Sequence, residues 1–302
     1  MKQAAERLKQ AVGAGIFLTD EPMSRHTTFR TGGPADIYIE PSGVEELKQV
    51  LDICREENVA YTIIGNGSNL LVGDGGYRGV LISFGKPFAQ VTIEGAQVRT
   101  GAGALLSAVA KQVLNASLTG FEFAAGIPGT IGGAVVMNAG AYGGELCQVL
   151  REATVLTPEG EVKTLPAEEL ELGYRTSCVQ KKGYIVLEAV LQLQPGNADD
   201  IRAVMDDLAS KRREKQPLEY PSAGSTFKRP EGHFAGRLIQ DAGLRGFRVG
   251  GAQVSEKHCG FVINRDHATS ADILSLCRQV QEKVKAQSGV ELELEVKLLG
   301  EF

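Results

Sequence analysis

The chain has 302 residues, 43% hydrophobic and 23% charged, with a formal net charge of −5. That composition excludes a disordered or coiled-coil protein, and the length suggests two or three domains. The acidic balance argues against nucleic acid as the main partner, since phosphate contacts need a basic face, and no apolar run reaches the ~18 residues of a membrane span.

The N-terminus contains Glu6 and no apolar core, so it does not read as a secretory signal. Five cysteines without C-x-x-C pairing and four scattered histidines give no metal spacing. They fit free thiols in a reducing compartment, and a cytoplasmic protein is expected.

Residues 2–12 predict a short helix, with Ala5, Leu8 and Val12 at helical spacing. Thr28–Pro34 reads as a turn into a strand over 36–40. Ser42 with Glu45 predicts a capping box, followed by a helix that sets Val44, Leu47, Val50, Leu51 and Cys54 on one face. A buried strand over 61–64 then completes a β-α-β unit.

Directly after it come Gly65, Asn66, Gly67, Ser68 and Asn69, and a second glycine cluster at 73–76. This is half of a dinucleotide fingerprint, but the chain turns again too soon for the helix that the fingerprint requires. A nest of successive N–H groups binds a diphosphate without a helix; the competing reading is a plain hairpin turn. Gly101-Ala102-Gly103 also imitates the fingerprint, between a strand over 97–100 and a helix over 104–114. Its sixth position is Leu106, where close packing asks for Gly or Ala, so a Rossmann site is not expected there.

Residues 124–144 hold seven glycines, one proline, one asparagine and no charge. So much backbone with so few side chains suggests a wall for a large planar or phosphorylated ligand. Further on, the pattern predicts a hairpin over 152–164, an irregular 173–177, a strand over 184–193, a linker at 195–197 and a helix over 199–215. The polar turn 223–230 carries Ser225, Lys228 and Arg229. With Arg245 and Arg248 it points to an anionic substrate, against the alternative of ordinary surface cations. Thr269 and Asp272 cap a last helix ending near Gly289. Val290 to Leu298 then alternate apolar and charged residues as one strand.

Seven segments in order carry a resemblance: TFRTGG, GNGSNLLV, AGIPGTIGGAVVMNAGAYGGE, GYRTS, AGSTFKRP, GGAQVSEKHCGFVIN and EVKLLG. Together they resemble the UDP-N-acetylenolpyruvoylglucosamine reductase family from about Thr28 to the C-terminus. The fifty residues between Arg175 and Ser225 look like the shorter subclass, which lacks an inserted tyrosine-bearing loop.

The resemblance implies an α+β protein. A vanillyl-alcohol-oxidase-type FAD domain over 1–196, with subdomains at about 1–80 and 81–196, precedes a C-terminal α+β substrate domain over 197–302. It assigns Gly65–Asn69 to the FAD diphosphate and sets Gly126, Ile127, Gly129, Gly133, Asn138, Ala139 and Gly140 around the flavin. FAD is expected to be noncovalent, because the 65–76 and 124–144 segments contain neither His nor Cys.

The implied activity is the NADPH-dependent reduction of UDP-N-acetylglucosamine enolpyruvate in peptidoglycan precursor synthesis, by a monomer with no metal. The family pattern maps Arg175, Ser225 and Glu295 onto catalysis. Arg175 stabilises the enolate left by hydride addition, Ser225 supplies a proton to the carbanionic carbon, and Glu295 holds or polarises the carboxylate or Arg175. Lys228, Arg229 and His258 are candidate substrate contacts. An FAD alcohol oxidase of the same fold and a non-catalytic nucleotide-sugar binding module are the alternatives.

Overall fold

A computed structural model describes residues 2–302, which form two compact units. The first comprises residues 2–18, Tyr38–Asn66 and Val80–Lys211; the second comprises Thr19–Ile37, Gly67–Gly79 and Arg212–Phe302.

The first unit is built on a five-stranded antiparallel sheet in the order Val162–Pro166, Leu150–Leu156, Ile185–Gln192, Gln97–Gly101, Val91–Glu94. Ala153, Val155, Ala189, Leu191 and Val98 of these strands are buried. The helix Leu106–Asn115 contributes Leu106, Val109, Ala110 and Val113, the i, i+3, i+4, i+7 stripe of a core-facing helix. Each fully buried side chain of that size is worth about 1.5–3 kcal/mol. Tyr61–Ile64 pairs in parallel with Tyr77–Ser83, which lies between it and Pro34–Glu40 in a four-stranded sheet.

Three local readings are corrected here. The helix Val44–Glu56 starts one residue later than the Ser42–Glu45 box requires: Gly43 is its N-cap, and the Ser42 hydroxyl donates to Glu46 instead. The expected linker is tied down. Gln194–Pro195 pairs with Leu118–Thr119, the Gly196 N–H donates to the Ser117 carbonyl at 2.8 Å, and Asn197 Oδ1 accepts from Asp199 N–H at 2.8 Å. The glycine-rich wall also contains a helix, Ile131–Met137. Ile131, Ala134 and Val135 bury one face of it, which outweighs the cost of about 1 kcal/mol that each of Gly132 and Gly133 imposes.

The second unit is organised by the helix Ser270–Ser288. The capping box expected at Thr269 and Asp272 is present, and Gly289 closes the helix at φ +72°. Its buried face (Ile273, Leu276, Cys277, Val280, Val284) shares a core with Phe29, Leu71, Phe227 and Ile239. A three-stranded antiparallel sheet, Arg248–Val249, Ala252–Val254 and Val262–Asn264, adds Ala252, Val254 and Val262 to that core.

Leu70–Val72 pairs in parallel with Lys297–Leu299. The alternation expected over 290–298 therefore holds only in part. Leu292 and Val296 are buried and Glu291 and Glu293 exposed, but Leu298 is 45% exposed and Glu295 half-buried. Among the described residues, no helix is long and apolar enough to cross a membrane.

Candidate active site

The strand Tyr61–Ile64 delivers Gly65 and Asn66 to the surface of the first unit, where both are exposed. Asn66 Nδ2 donates to the Pro128 carbonyl at 2.8 Å, and a Cβ on Gly65 would lie 2.6 Å from Thr130 Oγ1. The glycine turn and the glycine-rich wall, more than sixty residues apart in sequence, therefore meet at 65–66 and 128–130.

The rest of the turn belongs to the second unit. Gly67 has φ +61°, its carbonyl accepts from Thr28 N–H at 3.3 Å, and a Cβ there would sit 1.9 Å from the His26 carbonyl oxygen. Only glycine fits that close approach in a left-handed conformation. Among the described residues, no intramolecular acceptor engages the main-chain N–H groups of Asn66, Gly67, Ser68 and Asn69. Four successive uncommitted donors form a nest, suited to phosphate oxygens.

The wall sorts its own glycines. A Cβ on Gly132 would press on Ala102 at 3.0 Å, so Gly132 serves packing. Gly133, next to it, is exposed and meets only Thr130 Oγ1 at 3.5 Å, so its bare face is open to a ligand. Gly126 is exposed, whereas Gly129 is half-buried and its carbonyl accepts from Leu106 N–H at 3.0 Å. Ile127 and Ala139 pack partly against the core. At Gly140 the missing side chain is explained by the hairpin Gly140–Ala141/Gly144–Glu145, since a Cβ would lie 2.6 Å from the Gly144 carbonyl.

The segment 173–177 lies along the same wall. Gly173 and Thr176 exchange backbone hydrogen bonds of 3.0 and 3.3 Å, which puts Tyr174 and Arg175 at the tip of a tight turn. Arg175 has φ +54° and its guanidinium donates to the Gly140 carbonyl at 3.1 Å. Arg175 and the stretch 138–140 are thereby brought together.

In the second unit, the exposed Ser225 follows Gly224 at φ +72°. Its neighbour Thr226 accepts from Glu295 N–H at 2.9 Å, and Asn69 Nδ2 donates to the Glu295 carbonyl at 3.1 Å. The end of the nest, the serine turn and Glu295 thus share one backbone network. Glu295 is half-buried, unlike the exposed Glu291 and Glu293, so it is not an ordinary solvent-facing strand glutamate.

The cations near Ser225 are engaged. Lys228 donates to Glu293 at 2.7 Å, and that bond holds the Glu293 carboxyl below its usual range. Arg229 stacks on Phe234 at 4.0 Å. Arg245 bonds Gln240 at 2.7 Å, and Arg248 lies 4.0 Å from Asp266. His258 accepts from Gly260 N–H at 3.1 Å and packs edge-on to Phe261; burial lowers its pKa and keeps the ring neutral.

The glycines of Gly101-Ala102-Gly103 serve packing. A Cβ on Gly101 would lie 2.1 Å from the Phe88 carbonyl and one on Gly103 2.7 Å from that of Phe84, so the chain's own backbone fills the space. The Asn66–Pro128 tie has no sign in the sequence, because an exposed turn asparagine carries no periodic signal.

Residues 35–166 match the model of an FAD binding domain, and residues 216–299 match that of the UDP-N-acetylenolpyruvoylglucosamine reductase C-terminal domain. The UDP-N-acetylenolpyruvoylglucosamine reductase of Agathobacter rectalis is 55% identical over all of this chain and 98% of its own length. This chain belongs to the UDP-N-acetylenolpyruvoylglucosamine reductase family. A Clostridium perfringens reductase is 56% identical over 93% of this chain and 92% of its own. The crystal structure of the Thermus caldophilus reductase superposes with a TM-score of 0.81 at 36% identity, covering 94% of this chain and 98% of that one.

The FAD-domain fold extends beyond the reductase family. Phl p 4.0202, a glucose dehydrogenase, aligns at a TM-score of 0.51 and 12% identity over 65% of this chain and 44% of its own, a likeness of fold alone. The fold is the α+β vanillyl-alcohol-oxidase type with a C-terminal reductase domain. The residues present fit FAD: the uncommitted donors of the nest suit a diphosphate, and the bare face of Gly133 suits a planar ring.

Proposed function

We propose that this chain reduces UDP-N-acetylglucosamine enolpyruvate to UDP-N-acetylmuramate with FAD and NADPH, a step of peptidoglycan precursor synthesis. The observation that carries the reading is the meeting of the glycine turn with the glycine wall, beside an arginine held at that wall. The family-model matches at 35–166 and 216–299 support an FAD-binding part over 1–196 and a substrate-binding part over 197–302. We assign the protein to the cytoplasm as a monomer.

FAD, with its diphosphate on the nest at 66–69 and its ring against the bare face of Gly133, would supply hydride transfer from NADPH to the methylene carbon of the enolpyruvyl group. The chain's residues handle the consequences. Hydride addition leaves negative charge on the adjacent carbon, delocalised into the carboxylate, and Arg175 is the preorganised cation for it. Ser225 donates the proton that completes the saturated product, a step worth about 10²–10⁴-fold. Glu295 orients the substrate carboxylate from its half-buried position. Lys228 meets the sugar-nucleotide diphosphate by exchanging Glu293 for phosphate, which is cheap because a solvent-screened ion pair is weak. Arg229 adds a second cation, and the neutral His258 shapes the turn.

The test is spectroscopic. Purified protein is expected to be yellow, to bleach with NADPH, and to regain colour fast with the enolpyruvyl sugar nucleotide and slowly with oxygen. Fast recovery with oxygen alone would favour an alcohol oxidase. A colourless protein that still binds UDP-sugars would favour a binding module.

A further inference from the structure

Asn138 combines two features that rarely coincide. It is 1% exposed, and it adopts the left-handed conformation, φ +41°, at the end of the helix Ile131–Met137. A non-glycine residue held there carries strain that its surroundings must over-determine, and such positions cluster at functional sites.

Its side chain is committed inside the unit. Oδ1 accepts from Cys147 N–H at 2.9 Å, while Nδ2 donates to Glu145 Oε2 at 3.2 Å and to the Gly173 carbonyl at 3.2 Å. Three of the four hydrogen bonds available to an amide are therefore used within the protein. Whatever the main chain near 138 does for a cofactor, this amide is turned the other way.

The Gly173 end of that network decides its meaning. Gly173 closes the turn that carries Arg175, and Arg175 is itself left-handed at φ +54°. Two further bonds bind the same two segments: Ser177 Oγ donates to the Val136 carbonyl at 2.9 Å, and Arg175 donates to the Gly140 carbonyl at 3.1 Å. Residues 136, 138 and 140 are thus laced to 177, 173 and 175. Asn138 is the middle tie, and the one that grips the base of the arginine turn.

We propose that Asn138 is a positioning residue for Arg175, fixing through Gly173 the turn that presents the guanidinium. The proposal rests on the role given to Arg175 above. A misplacement of about 1 Å costs on the order of 10²-fold in rate, so a tie at the root of a two-residue tip sets the geometry of catalysis without touching substrate.

The variant for the test is Asn138→Gly, which keeps the left-handed backbone and removes the amide. A second, Asn138→Asp, keeps an acceptor for Cys147 N–H and loses both donors. In each, hydrogen exchange at the Gly173 and Thr176 amides is expected to speed up. Reoxidation of NADPH-reduced enzyme by the enolpyruvyl sugar nucleotide should slow by about 10²-fold, with reduction by NADPH changed less than about threefold and FAD retained. In an Arg175→Ala background, Asn138→Gly should add no further loss.

Unchanged exchange at 173 and 176, independent additive losses, or equal slowing of both half-reactions would each overturn the proposal. Undiminished reoxidation in Arg175→Ala alone would instead remove the catalytic role of Arg175. The exchange data would then still decide whether Asn138 holds the turn.

Discussion

The carboxylate of Asp74 caps a helix that begins 196 residues later, with Oδ1 accepting from Ser270 N–H at 2.8 Å and Oδ2 from Ala271 N–H at 2.8 Å. Thr269 Oγ1 accepts from Asp272 N–H at 3.0 Å, so three donors of the first turn are satisfied by side chains. Asp74→Ala leaves two of them without a protein partner and is expected to lower stability by about 1–2 kcal/mol. Urea denaturation checks this. An unchanged midpoint would mean that water replaces the carboxylate at no cost.

Gly67 tests the nest. Asp in its place would drive a side chain into the His26 carbonyl, 1.9 Å from where a Cβ would stand, and set a negative charge beside a diphosphate. Gly67→Asp is expected to purify without FAD, whereas Gly95→Ala, at a φ +60° turn with nothing near its Cβ, should keep the cofactor. The flavin-to-protein ratio is the readout. Stoichiometric yellow cofactor in Gly67→Asp would remove Gly67 from the phosphate site.

Ser225→Ala separates the two half-reactions. Flavin reduction by NADPH is expected to stay near wild type, while reoxidation by the enolpyruvyl sugar nucleotide falls by about 10²–10⁴-fold. Stopped-flow absorbance measures both. If the two slow equally, Ser225 serves the fold and the proton has another source.

His258 gives a pH dependence whose sign follows from its burial. Desolvation holds its pKa below the ordinary 6.5, so folding favours the neutral ring. The stability this contributes is complete above the unfolded value and is lost as pH falls through the folded one. Between about pH 6.5 and 5, the wild-type melting temperature should drop more steeply than that of His258→Asn, which retains an acceptor for Gly260 N–H. Parallel curves would show that other groups control the acid limb.

Periodic features were legible in the sequence. The strand over 61–64, the helix expected over 104–114 and the capping box at Thr269–Asp272 follow from local pattern and are present, although the helix runs Leu106–Asn115 and Tyr61 is exposed rather than buried. Gly65 and Gly133 were legible as bare backbone, since glycine density has few other causes. Ser42 shows where local pattern is weak: a shift of one residue moves a cap and leaves the composition unchanged. Asn197 looks like linker in the sequence because its capping bonds reach forward to the Asp199 and Asp200 N–H groups, which a local pattern does not reveal. Asp74 and Asn138 act at long range or through strained backbone, and neither leaves a periodic trace.

The pairing of Leu70–Val72 with Lys297–Leu299 has a consequence for how the protein is made. The pair joins segments more than two hundred residues apart, a contact of very high sequence separation and correspondingly slow closure. Until Lys297–Leu299 arrives, Leu70–Val72 offers a bare edge to any passing strand. A chain that has made Leu70–Val72 but not Lys297–Leu299 therefore carries one half of a clasp without the other.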